Sequence, residues 1–266
     1  MRLTFAVAAL VFAAPCASVA STFSVDVSDL WWNPSESGWG LNLIQEADVA
    51  FGTLYVYGQD GQAHWYAAPD LQGAHTSSLD TAAFNGPLME TAEPAMSGKF
   101  NPALVTTRQV GTMSFVLQNP DVATLRYTID GVTTQKAVTR LTWRTNDING
   151  SYALSRVYRG YHCAPGVAVT QNLGTASVSQ SGDSLSITTT GGIPSCTFSG
   201  DYSQSGRLGL SSGNFSCTDG TSGSYRMQEI EVGQHAFSAR FDGTAAACQF
   251  RGHLAGARAD VELPPD

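Results

Sequence analysis

The sequence predicts an all-β protein, built as two consecutive antiparallel β-barrel or β-sandwich domains behind a signal peptide. Three observations predict it. β-favouring and apolar residues recur at every second position, as in Thr53, Tyr55 and Tyr57, Met113, Phe115 and Leu117, or Leu125, Tyr127 and Ile129, and almost no stretch carries a helical period. Turn-forming clusters separate these runs at meander spacing, at Glu46-Ala47-Asp48, Gln59-Asp60-Gly61-Gln62, Asn119-Pro120-Asp121 and Asp130-Gly131. The composition also changes across Asn146-Asp147-Ile148-Asn149-Gly150: all five tryptophans precede this polar joint, and four of the five cysteines follow it.

In chain order, residues 1–20 read as a secretory signal, with Arg2 as a basic start, an apolar run from Leu3 to Ala14, and Ser18-Val19-Ala20 before a cut at Ser21. The run falls short of the roughly twenty residues that cross a bilayer. Cys16 is expected to leave with the signal, because Pro15 and Ala13 fit lipid attachment poorly. The mature chain is therefore expected to be periplasmic or secreted, with no membrane span after cleavage. Residues 21–146 form a Trp-rich antiparallel β domain, with strands near 39–45, 49–57, 63–68, 111–118, 122–129 and 133–143. Between Pro69 and Val110 the chain is rich in Ala, Pro, Gly and Thr, leaving room for one or two short strands or a crossing loop. Residues 147–258 form a disulfide-bonded, barrel-like domain with about eight short strands at the spacing of a sandwich or barrel. Residues 259–266, ending Glu-Leu-Pro-Pro-Asp, read as a flexible tail.

An exported chain with Cys163, Cys196, Cys217 and Cys248 defaults to two disulfides. Cys196 and Cys217 flank a Ser205-Gly206 turn that sets them opposite each other, and Cys163–Cys248 is what remains, tying the first strand of this half to its last. With that bond, an up-and-down barrel is the natural closure. There is no Cys-x-x-Cys pair and the five histidines are scattered, so neither a metal site nor a cofactor is expected. A net charge of −8, with Lys99 and Lys136 the only lysines, leaves no basic patch for a nucleic-acid partner.

The richest segment is Trp31-Trp32-Asn33-Pro34-Ser35-Glu36-Ser37-Gly38-Trp39-Gly40, which holds three of the five tryptophans in a turn-prone setting. The hairpin through 59–62 is expected to bring Tyr57 near His64 and Tyr55 near Tyr66, with Trp65 on the face opposite His64. Trp31, Trp32, Asn33, Glu36, Trp39, Asn42, Tyr55, Tyr57, His64 and Trp65 are thus the candidate ligand-binding residues, for a sugar ring or a small flat apolar ligand. The plainer reading is that the tryptophans fill the core. Glu36, if desolvated, would have a raised pKa and serve as a general acid beside Asp29, Asp48 or Asp60; the commoner use of such a carboxylate is to accept backbone N–H bonds and hold the loop. No Gly-x-Ser-x-Gly elbow or base-paired nucleophile is present, and no catalytic residues are assigned. A second cluster, Tyr152, Arg156, Tyr158, Arg159 and Tyr161, would place Arg156 in a lumen by alternation, or bury an arginine against Asp201 or Glu229.

Asp29-Leu-Trp-Trp-Asn-Pro-Ser-Glu-Ser-Gly-Trp-Gly-Leu-Asn-Leu-Ile-Gln, followed by the aromatic hairpin Phe51 to Tyr66 and the later hairpin from Thr124 to Leu141, resembles an uncharacterised module of secreted proteobacterial proteins. The resemblance covers about residues 29–144 and implies secretion, with no activity, cofactor or catalytic residue attached. The second half resembles no family. The expectation is an exported binding protein whose first domain takes a carbohydrate or cell-envelope glycan; a structural or assembly protein of the envelope, or a glycan hydrolase using Glu36, are the alternatives.

Overall fold

The computed structural model describes residues 25–74, 80–92, 99–161, 163, 169–191, 194–246 and 248–259; the signal predicted over 1–20 and residues 260–266 of the predicted tail lie outside them. The first closed barrel comprises β1 (Asp29–Trp32), β2 (Gly40–Glu46), β3 (Val49–Tyr57), β4 (Ala63–Ala74), β5 (Ala82–Ala92), β6 (Thr106–Asn119), β7 (Val122–Ile129) and β8 (Val132–Arg140). The second comprises β9 (Gly150–Tyr161), β10 (Thr170–Ser181), β11 (Ser184–Thr190), β12 (Cys196–Ser205), β13 (Leu208–Cys217), β14 (Ser222–Val232), β15 (Ala236–Ala245) and β16 (Cys248–Arg258). Each is an antiparallel meander in which neighbours in sequence pair and the last strand returns to the first, β8 to β1 and β16 to β9. Closure removes the unpaired edges that an open sheet would expose.

Local chemistry explains several joints. Asp130 and Gly131 both have positive φ, +47° and +85°, so this two-residue loop has the twist that a tight hairpin between paired Ile129 and Val132 needs. Cys196 and Cys217 sit directly opposite in the β12–β13 register and are bonded. Cys163–Cys248 joins the end of β9 to the start of β16, across the seam where the second barrel closes.

Three sequence expectations change. Trp31 and Trp32 lie in β1, a strand, and the turn is confined to residues 33–39. The strand forms because β2 and β8 supply partners on both sides, Leu41 and Arg140 for Trp31, overriding a local composition that favours a turn. The middle segment holds the long strand β5, with β4 running on to Ala74 and β6 starting at Thr106. Gly86 and Pro87 fit within β5 because the β4–β5 register breaks between Ala67 and Gln72; a Cβ at Gly86 would lie 2.1 Å from the Asp70 carbonyl oxygen. Finally, Tyr55 pairs with Trp65, Val56 with His64 and Tyr57 with Ala63, one residue away from the expected register. Bonds from Gly58 N–H to Gln62 O at 2.9 Å and from Gly61 N–H to Gly58 O at 3.0 Å close a five-residue loop, and a one-residue slip exchanges the faces of every side chain relative to its partner.

The first core is dense, with Trp31, Leu41, Leu43, Leu54, Phe84, Met113, Phe115 and Leu125 buried together and the Trp31 indole edge-on to Phe115 at 4.9 Å. A second core gathers around Tyr152, Tyr202, Tyr225, Met227 and Phe237. The barrels meet at a polar seam. Arg140 and Asp29 form an almost fully buried ion pair at 3.1 Å, and Asp29 also accepts the Arg207 N–H from the second barrel at 3.0 Å. Arg207 in turn pairs with Asp26 and Glu231, and Arg240 with Asp80 at 2.9 Å. Gly206, at φ +60°, permits this approach: a Cβ there would fall 2.1 Å from Asp29 Oδ2.

Candidate functional site

The ten residues expected to form one aromatic site are divided among different surroundings. Trp31 is 0 % exposed, donates its indole N–H to Val27 O at 2.9 Å, and lies beneath the Arg140 guanidinium at 4.5 Å; it belongs to the core. Asn33 builds the turn, accepting the Ser35 N–H on its side chain at 2.9 Å and the Glu36 N–H on its carbonyl at 3.0 Å. His64 stacks on Tyr66 with centroids 6.4 Å apart and contacts Asp60 at 3.3 Å, within the β3–β4 hairpin. Trp32 is partly buried opposite Thr139.

Glu36 anchors a three-residue clamp. Its carboxylate accepts from Lys136 Nζ at 2.8 Å and from the Trp39 indole N–H at 3.2 Å, fixing the turn to β8 and laying Trp39 against the core. The Lys136 hydrogen bond, with its positive charge, and the Trp39 contact together hold the Glu36 carboxyl below its ordinary pKa despite some desolvation. This is a correction: desolvation does not dominate, and the loop-holding bonds come from side chains rather than backbone N–H groups. Asp29, named as a partner carboxylate, is consumed by Arg140, and the Asp60 carboxyl is lowered chiefly by the Gln62 N–H.

What the register does assemble is an outward aromatic face. Tyr55, Tyr57 and Trp65 are 53 %, 61 % and 49 % exposed, with Tyr55 and Trp65 directly opposite on β3 and β4. The Tyr57 ring packs over Gly38, whose added Cβ would lie 3.2 Å from Cε2, joining this face to the 33–39 turn. Alternation along β2 and β3 extends it through the Asn42–Thr53 pair to exposed Ile44 and Phe51. Sequence reasoning missed Ile44, Phe51 and the clamp's Lys136. Counting positions two apart from Tyr55 and Trp65 in the correct register would have found the first two; nothing local points from Glu36 to Lys136.

The second cluster divides as well. Tyr152 is core, edge-on to Phe237 at 4.7 Å and donating its hydroxyl to Ile148 O at 2.8 Å, whereas Arg159 and Tyr161 face outward. Arg156 and Tyr158 enter the lumen, and the arginine beside Glu229 is Arg240, at 3.4 Å. Burial pushes the Glu229 carboxyl up, against the opposing pull of Arg240. Among the described residues no cluster of His, Cys, Asp and Glu could hold a metal ion, and no helix is long and apolar enough to cross a membrane. No family model matches the chain, and no curated protein matches it.

Proposed function

We propose that the protein is an exported binding protein whose first barrel presents the Tyr55–Tyr57–Trp65 face to a carbohydrate of the cell envelope. The observation that carries this reading is the pairing of Tyr55 with Trp65 on the outer wall, both about half exposed, with Tyr57 braced on Gly38 beside them. Aromatic rings held on a rigid sheet offer flat apolar surfaces to the C–H faces of sugar rings, while tyrosine hydroxyls and Asn42 supply polar contacts to ring substituents. Leaving such area in water is unfavourable: covering the exposed half of one indole, roughly 120 Å², would contribute about 3 kcal/mol at 25 cal/mol per Å². The lowered Glu36 pKa favours binding over turnover, because a glycosidic general acid requires a shift upward.

Titration of the mature protein with soluble peptidoglycan fragments and other envelope glycans, followed by tryptophan fluorescence, tests the reading. Trp65 is exposed and Trp31 is buried, so a saturable signal that disappears in Trp65→Ala and weakens in Tyr55→Ala supports it. Saturable binding that survives in the combined Tyr55→Ala and Trp65→Ala variant, followed by calorimetry because the reporting indole is then absent, overturns it. Absence of any glycan binding, with self-association that Trp65→Ala abolishes, replaces it with an envelope-assembly role.

A further inference from the structure

In the second barrel Gly200, Gly213, Gly223, Gly243 and Gly252 mark close approaches of neighbouring strands, where an added Cβ would lie 1.8–2.3 Å from a backbone oxygen, and Gly160 lines the lumen at the disulfide-bonded end. A cavity of about 300 Å³ lies at that end, with Cys196, Cys217 and Cys248 among its lining residues. One side is an aromatic cluster: Phe198 stacks on Phe215 at 5.3 Å, and Phe250 meets Phe215 at 5.7 Å and Phe241 at 6.0 Å. The other side is the β9–β10 wall, which contributes Arg156, Tyr158 and Thr170.

Arg156 is the informative residue. It is partly buried, it lines a cavity whose walls are mainly apolar, and no carboxylate among the described residues forms an ion pair with it. Its neighbour across the sheet is Asn172; with the carboxamide oxygen turned toward it, Asn172 accepts from Arg156 Nη2 at 3.1 Å and Nε at 3.2 Å. That arrangement orients the guanidinium and leaves Nη1 for another acceptor. The acidic group at the rim, Asp219, follows β13, four strands around the ring from β9, and its Oδ1 is engaged by the Thr221 N–H at 2.9 Å.

We propose that this end of the second barrel binds a small apolar carboxylate, whose anion pairs with Arg156 while its aryl or short acyl body lies against Phe198, Phe215, Phe241 and Phe250. The cavity size admits a ligand on the order of ten to fifteen non-hydrogen atoms, at the small end of ligand sites. A guanidinium with no ionic partner in a mainly apolar cavity selects for a planar anion and against neutral or cationic analogues of the same shape. The site is independent of the aromatic face on the first barrel.

The experiment is a fluorine NMR titration of the full mature protein with 4-fluorophenylacetate, 4-fluorophenylacetamide and 4-fluorophenethylamine. The expected result is saturable binding of the acid, at least tenfold weaker binding of the amide, and none of the amine. Arg156→Gln loses at least tenfold in affinity for the acid, while the outward Arg159→Gln and the first-barrel Trp65→Ala bind it as the parent does. Equal affinity for acid and amide, undiminished binding by a folded Arg156→Gln, or no saturable binding of the acid overturns the proposal. If Arg156→Gln does not fold, the acid and amide comparison on the parent protein decides alone.

Discussion

Replacing Asp29 with asparagine tests whether the seam between the barrels is held by charge. The Asp29 and Arg140 side chains are 2 % and 1 % exposed, so the substitution leaves a guanidinium in the interior without its counter-ion. Burial already pushes the Arg140 pKa down, and Asp29 is the main group opposing that shift. Removing one partner of such a pair costs about 3–5 kcal/mol. The lower end applies here, because Arg140 keeps hydrogen bonds to Pro120 O at 2.7 Å and Asp26 O at 2.6 Å and its place over Trp31. We expect Asp29→Asn to lose about 3 kcal/mol in urea unfolding followed by tryptophan fluorescence, which reports the first barrel because all five tryptophans precede Gly150. Paired with Arg140→Leu, the double variant should be less destabilised than the two single losses added together, giving a coupling of at least ~1 kcal/mol. A loss below about 1 kcal/mol for Asp29→Asn, or strict additivity, would refute the reasoning and make the ion pair incidental to the seam.

Glu36 has a native pKa below the ordinary value of 4.5, so its stabilising contribution is present above that value and is lost as pH falls through the native pKa. A carboxyl carbon NMR titration should show Glu36 moving back up toward 4.5 in Lys136→Met; an unchanged midpoint would remove Lys136 as the cause. Glu229 has the opposite sign: its raised pKa means that the native state favours the proton, so stability falls as pH rises from the ordinary glutamate value through the native one. Glu229→Gln should therefore flatten the pH dependence of stability across that window, and thermal melts retaining the parent's full pH slope would contradict this. The disulfides enclose sequence separations of 21 and 85 residues, for which the loop-entropy relation gives about 3 and about 4.5 kcal/mol. Cys196→Ser with Cys217→Ser, and Cys163→Ser with Cys248→Ser, should destabilise the second barrel in that order while leaving the tryptophan-reported transition of the first nearly in place; equal losses from both pairs would oppose the ordering.

Much of the architecture was legible locally. Two-residue alternation marks strands because successive side chains point to opposite faces, and Asp130-Gly131 marks a hairpin because both residues tolerate positive φ. The disulfide pairing was legible because a turn expected at Ser205-Gly206, which the structure places one residue on at Gly206-Arg207, sets Cys196 against Cys217, leaving Cys163 for Cys248. Alternation likewise put Arg156 on the face that proves to line the lumen.

The site was less legible, for a common reason. Tyr55, Tyr57 and Trp65 share an outer face only because the 58–62 loop has five residues, and a shift of one would have turned Trp65 inward relative to Tyr55. Trp31 is core because β1 is captured between β2 and β8, and the meaning of Glu36 depends on Lys136, a hundred residues further along the chain. By itself the sequence determined most strands and turns, the cysteine partners and the division into a tryptophan-bearing and a cysteine-bearing half, because these follow from neighbours in the chain. Inside and outside, filled and hollow, paired and unpaired charge were decided only when each meander closed on its own first strand, since closure alone brings distant residues together and sets which face meets water.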